Sequence, residues 1–254
     1  MKKNIICISI LGFMLMGCNK ISSVEVSSSS SLVSVYLKDE EAKEIMQDIL
    51  DNYNNYYMEN ISLSLTIESQ APSLKNSFPY KAHTIVEKKY DSKNKIYNEH
   101  GKCFMENEWK DNNDETYYHY ENGKTYIYDV YRKTYEYYND KDAVILLNNA
   151  KKMYDKGKDS YEDLERLVRY IDEGSSLLSK YSFKSSGKGN LTVYCTDPSY
   201  PIYYLNFNDY LIRESSSNIF EISSYGAYDN FEKCKFSYDV NLEAPNRSEY
   251  KYIV

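Results

Sequence analysis

From Asp39 onward the apolar residues recur at helical spacing: Ala42, Ile45, Met46, Ile49, Leu50, Tyr53, Tyr56 and Tyr57 return every three to four positions. Glu40, Glu41, Lys43, Glu44 and Asp48 stand on the opposite side, and Asp39 suits the N-cap. Residues 39–57 are therefore expected to form a helix that buries one stripe against a large surface. At Ile61 the period drops to two. Leu63, Leu65 and Ile67 alternate with Ser62, Ser64, Thr66 and Glu68, and two long strands are expected over 83–90 and 94–107, joined at Asp91-Ser92-Lys93. The sharpest local signal lies in residues 115–131, where alternating residues are broken by Asn122-Gly123. That dipeptide supplies φ > 0 at both centres of a type I′ turn, which sets Glu121 opposite Lys124, His119 opposite Tyr126 and Tyr117 opposite Tyr128. A further strand over 134–138 follows.

Helical spacing returns at Asp142 and runs to about Arg169. Val144 to Leu147 begin it, and a polar stretch over 155–159 divides it. Ser160 with Asp163 forms an acidic capping box ahead of Tyr161, Leu164, Leu167, Val168 and Ile171, and Gly174 stands as the C′ residue. Two helices are expected here. From Tyr181 the chain is β-patterned again, with strands over 181–185, 191–196, 200–207, 211–216, 219–225 and 235–242. Turns fall at Gly187-Lys188-Gly189, Asp197-Pro198, Asn208-Asp209 and Asp229-Asn230. Helix, strands, two helices, strands, with short connections, predicts an α+β fold: a single strongly curved antiparallel sheet, a half-open barrel, with helices packed on its concave face.

The segment before this domain has a different character. Met1-Lys2-Lys3 is a short positive region and Ile5 to Met16 a short apolar one, too short for the ~30 Å hydrocarbon layer. Leu15-Met16-Gly17-Cys18 then resembles the lipobox of bacterial lipoprotein signals. The resemblance implies cleavage before Cys18 and a diacylglyceryl group on its thiol, two acyl chains being enough for stable anchoring. Residues 1–17 are read as signal peptide, 18–37 as a lipidated cysteine with a Ser-rich tether, and 38–254 as the folded domain. Ser22, Ser23 and the run 27–31 suit a flexible tether, while Val24, Val26, Leu32, Val33 and Val35 offer an edge strand instead. The expected location is the outer face of the cell membrane.

Without Lys2 and Lys3, 29 basic residues face 38 acidic ones, a formal net charge of −9. This balance argues against nucleic acid as a partner, and no Lys/Arg-rich amphipathic helix is present to lie on an anionic membrane. Of the cysteines beyond Cys18, Cys103, Cys195 and Cys234 remain; Cys195 and Cys234 either pair or serve as small buried hydrophobes. The chain has 30 tyrosines and one tryptophan. With the abundance of Asn, Lys and Ile this matches the codon bias of an AT-rich genome, yet so many rings still need half-buried strand positions with wet hydroxyls.

The opening helix running into Met58-Glu59-Asn60-Ile61-Ser62-Leu63, the hairpin Glu121-Asn122-Gly123-Lys124-Thr125-Tyr126 and the closing Phe236-Ser237-Tyr238-Asp239-Val240-Asn241-Leu242-Glu243-Ala244-Pro245 together resemble the LolA-like superfamily of outer-membrane lipoprotein carriers, including LppX-type Gram-positive lipoproteins. The likeness rests on layout over the mature domain. It implies a half-open barrel whose concave apolar face holds acyl chains. Here tyrosine takes the place of much of the aliphatic lining, which implies a cavity that is narrow, polar or absent.

Motifs for other chemistry are weak. Gly123-Lys124-Thr125 ends like a P-loop, but Tyr118 stands where that motif needs glycine. His83, His100 and His119 make no metal-binding spacing, and His100 and Cys103, three apart on a strand, face opposite sides, so no metal and no cofactor are expected. There is no G-x-S-x-G elbow, and with acidic residues throughout, no catalytic pair stands out, so a non-enzyme is expected. Tyr117, Tyr126 and Tyr128 share a strand face that can line a cleft or be mere core. The leading expectation is a lipoprotein that binds a lipid or other hydrophobic ligand. The alternative is a surface interaction protein whose Tyr-rich sheet contacts a protein or glycan without a cavity.

Overall fold

The computed structural model describes residues 34–53, 61–71, 82–105, 108–111, 114–197, 200, 202–223 and 226–253 of the 254-residue chain. Cys18, the signal and most of the tether lie outside these residues, as do 54–57, the last turn of the expected first helix.

Two α-helices, α1 (Asp39–Tyr53) and α2 (Val144–Asp172), accompany one large, mostly antiparallel sheet. Its strands before α2 are β1 (Val35–Tyr36), β2 (Leu63–Ala71), β3 (Ala82–Asp91), β4 (Ile96–Met105), β5 (Glu108–Asp111), β6 (Thr116–Glu121), β7 (Lys124–Asp129) and β8 (Thr134–Asn139). After α2 come β9 (Tyr181–Gly187), β10 (Asn190–Cys195), β11 (Ile202–Asn208), β12 (Leu211–Ser223), β13 (Gly226–Ser237) and β14 (Lys251–Tyr252). The order across the sheet is β1-β9-β10-β11-β12-β13-β2-β3-β4-β6-β7-β8-β14, with β5 paired on β4. The two strand blocks meet where β13 runs antiparallel to β2, with Phe236 opposite Leu65. β1 and β14 are the ends of the path, so the sheet is not closed into a barrel.

Alternation along the strands sorts side chains onto two faces. One face carries Leu63 and Leu65 of β2, Tyr90 of β3, Tyr97 of β4, Val193 of β10, Phe207 of β11 and Phe236 of β13, all nearly fully buried. These join Ala42, Met46 and Ile49 of α1 and Leu146, Met153, Leu164 and Leu167 of α2 in one cluster, so both helices pack on this inner face. At Gly157 of α2 an added Cβ would lie 3.7 Å from Phe236 and 3.8 Å from Ile212, the contact distance of a filled interior.

Where sequence and structure differ, packing gives the reason. The expected pair of helices over 142–172 is one continuous helix. Its buried positions Ala150, Met153, Tyr154, Gly157, Ser160, Tyr161 and Leu164 keep the three-four spacing straight through the polar stretch, and at Gly157 the helix lies against Phe236 and Ile212 of the sheet. Ser160 is therefore a buried mid-helix residue and no cap. The N-terminus is instead held by Asp140, whose carboxylate accepts from the amides of Val144 (2.7 Å) and Ile145 (3.1 Å) and from the Thr125 hydroxyl (2.7 Å). The expected strands over 211–216 and 219–225 are one long β12, and the turn placed at Asp229-Asn230 lies inside β13. The last expected strand breaks off at Ser237, and β14 pairs with β8 in parallel, the one departure from antiparallel pairing among the described residues. Val35 and Tyr36 form an edge strand on β9. Cys195 and Cys234 are both buried free thiols.

Candidate functional site

The Asn122-Gly123 turn takes φ of 53° and 73°, and the ladder pairs Glu121 with Lys124, His119 with Tyr126 and Tyr117 with Tyr128. Thr125 points to the helix side, where it meets Asp140, so its neighbour Tyr126 points away. The same alternation places Tyr117, His119, Tyr128, Tyr135 and Tyr137 on this outer face.

The rings form a connected layer. Tyr128 stacks on Tyr135 at 5.7 Å and 28° between planes, Tyr126 lies 5.7 Å from Tyr137, and Tyr137 stacks on Tyr252 at 5.6 Å and 23°. Tyr252 arrives on β14 and Tyr250 stands edge-on to Tyr128 at 5.1 Å. Three cations lie over the layer: Arg247 above Tyr126 at 3.8 Å, Lys124 above Tyr137 at 4.1 Å and Lys133 above Tyr250 at 5.0 Å. Arg247 also donates to Glu121 Oε2 (2.8 Å) and to the Tyr128 hydroxyl (3.4 Å).

The segment 238–253 brings these late residues across the sheet. Its start is pinned at the β3–β4 turn, where the buried Asp91 carboxylate accepts from the amides of Lys93, Asn94 and Leu242. Its end is pinned at β8, where the Lys251 and Ile253 amides donate to the Lys133 and Tyr135 carbonyls (2.8 and 2.9 Å). Between these points it covers Tyr128, which is 1% exposed yet stands outside the main core cluster. Toward the β8 edge the cover ends, leaving Tyr137 and Tyr252 about two-fifths exposed, at 38% and 42%.

Burial sets the electrostatics here. Desolvation pushes the His119 imidazole below its ordinary pKa, with Glu121 opposing and Arg247 assisting, which favours the neutral ring. Burial and then the Glu115 carboxylate push the Tyr117 phenol up to about 12. The face therefore presents neutral rings, fixed cations and Glu121, a composition suited to contacts with planar or anionic groups.

Of the residues singled out from sequence, Tyr117, Tyr126 and Tyr128 do come together. Tyr135, Tyr137, Arg247, Tyr250 and Tyr252 complete the layer. The parallel return of β14, which brings the last three, left no mark in the hydrophobic pattern. Cys18 and the Cys103 side chain lie outside the described residues. Among the described residues no three His, Cys, Asp or Glu side chains gather as for a metal ion, and no helix is long and apolar enough to cross a membrane.

No protein-family model matches this chain, and a comparison with curated proteins returns no match.

Proposed function

We propose that the chain is a lipoprotein held at the outer face of the cell membrane by acylated Cys18, and that its domain is an interaction module whose tyrosine face contacts a partner. The observation that carries this reading is the half-covered aromatic layer. Tyr137 and Tyr252 are exposed yet held by stacking and by Lys124, so little side-chain freedom remains to be lost on binding. Tyrosine and arginine are the residue types that dominate binding energy at protein interfaces. A protein is favoured over a glycan because residues 136–139 of β8 flank the rings and have no further neighbouring strand among the described residues, which lets an extended chain pair there.

A lipid-carrier role of the LolA-like kind would rest on a sheet curved into a half-open barrel round an apolar space. Support for the curvature comes from a single core cluster that draws on β2–β4 and on β9–β13 together. Against an apolar space stands the filled contact of α2 with Phe236 and Ile212. Two hollows stand out among the described residues, and hydrophilic side chains predominate in the lining of both.

Native mass spectrometry of the protein extracted from its membrane separates the two roles. The interaction module retains no lipid beyond the covalent one on Cys18. A stoichiometric non-covalent acyl lipid restores the carrier role, and a Cys18→Ser protein that stays membrane-bound at normal size removes the anchor.

A further inference from the structure

The sheet holds a hollow of about 320 Å³ whose lining includes Thr84, Glu99, Gly101, Lys102, Asp114, Thr116 and Tyr118. Its origin is a fork in the sheet. The ladder from β4 to β6 stops at Glu99 and that from β4 to β5 begins at Lys102, so β5 and β6 leave the same edge of β4 in succession. Gly101, at the fork, places no side chain in the gap. A glycine inside a strand marks a place where something approaches the backbone closely.

The lining is chemically mixed. Glu99 Oε2 accepts from the Tyr97 hydroxyl at 2.6 Å and faces Lys88 at 3.5 Å, which fixes the carboxylate, while its Oε1 has no hydrogen bond among the described residues. Thr84 and Thr116 bring hydroxyls, and Tyr118, braced edge-on by Tyr97 at 5.6 Å, brings a ring. Among the described side chains, two carboxylates, Glu99 and Asp114, are matched by two ammonium groups, Lys88 and Lys102, which leaves little net attraction for an ion. Its volume sits at the lower end of small-molecule sites, roughly 300–1,000 Å³.

We propose that this hollow binds a neutral polyhydroxylated ligand, the terminal hexose or N-acetylhexosamine of a glycan. Vicinal hydroxyls would donate to Glu99 Oε1 and Asp114, accept from Lys102 and the threonine hydroxyls, and the sugar would lie against Tyr118. Among the described residues, an acyl chain would find only Val86 and the Tyr118 ring as apolar lining. The site is on the face opposite the tyrosine layer and stands independently of it.

The test uses the full acylated chain in a polyoxyethylene detergent, titrated with glucose, galactose, mannose and N-acetylglucosamine by saturation-transfer NMR and calorimetry. At least one sugar binds saturably, and Glu99→Gln, which keeps shape and removes charge, weakens it about tenfold or more. Gly101→Val fills the fork and abolishes binding, while Lys124→Ala on the other face leaves it unchanged. Thermal melts establish that the variants fold; should Gly101→Val not fold, Glu99→Gln and Thr116→Val decide. The proposal is overturned if none of the four sugars binds saturably, if binding survives Glu99→Gln undiminished, or if glycine or lysine displaces the sugar competitively.

Discussion

The Arg247 guanidinium sits 3.8 Å above the ring centroid of Tyr126, and through this pair the C-terminal segment is fastened to a hairpin that lies 121 residues earlier in the chain. The same guanidinium reaches Glu121 and the Tyr128 hydroxyl, so three parts of the β6–β7 hairpin are held by one side chain. Arg247→Ala should cost roughly 1–2 kcal/mol, a partly exposed cation–π contact plus a charged hydrogen bond. Arg247→Lys should recover little of this, because an ammonium cannot stack and fork together. Urea denaturation gives the energy, and hydrogen exchange at 247–253 shows whether the segment is freed while the α1–α2 core stays protected.

Asp91 and Asp140 are buried carboxylates that do similar work at two ends of the fold. Burial pushes each pKa up, but hydrogen bonds outweigh it and both end below the ordinary carboxylate value: Asn94, Leu242 and Lys93 for Asp91, and Thr125, Val144 and Ile145 for Asp140. A depressed folded pKa means stabilisation that is complete above the unfolded value of about 4 and is lost as pH falls through the lower folded value. Acid unfolding should accordingly set in below about pH 4. Asp140→Ala and Asp91→Ala should each cost roughly 2 kcal/mol at pH 7, and either should flatten the acid limb of the stability profile.

Asp163 behaves in the opposite sense. Desolvation against α2's buried surroundings lifts its pKa to about 6, with Arg166 at 3.0 Å only partly offsetting it. The charged form is disfavoured in the folded protein, so stability should fall as pH rises from about 4 to about 6 and stay lower above that. Asp163→Asn should raise the stability at pH 7.5 by on the order of 1 kcal/mol, seen as a higher melting temperature, and leave it unchanged at pH 4. Equal melting temperatures of the two proteins at pH 7.5 would remove the shift.

Local signals in the sequence carried well. The Asn122-Gly123 register is as the turn chemistry dictates, because φ > 0 at both centres leaves one pairing. The apolar stripe of residues 39–53 packs where its spacing requires, with Ala42, Met46 and Ile49 buried. Misreadings arose where tertiary packing overrode local chemistry. Ser160 and Asp163 look like a helix start, yet Gly157 lies against Phe236 and Ile212 of the sheet, Ser160 is buried, and the helix runs on. Asn230 looks like a turn, yet β12 and β13 pair without interruption from Glu214 opposite Lys235 to Ser223 opposite Gly226. Tyr117, Tyr126 and Tyr128 were legible as one face of a hairpin. Arg247 and Tyr252 were not, since a two-residue parallel strand reached by a long irregular segment has no periodicity to read.

Site-specific photo-crosslinking in living cells tests the tyrosine-face account most directly. A photoreactive phenylalanine replaces Tyr137 or Tyr252 on that face, or Leu147, an exposed position on α2 at the opposite face. The interaction module predicts one discrete crosslinked species, shared by positions 137 and 252, absent from 147 and lost when Lys124 and Arg247 are both replaced by alanine. Equal crosslinking at 147, or none at 137 and 252 with the protein present at normal level on the membrane, would contradict it.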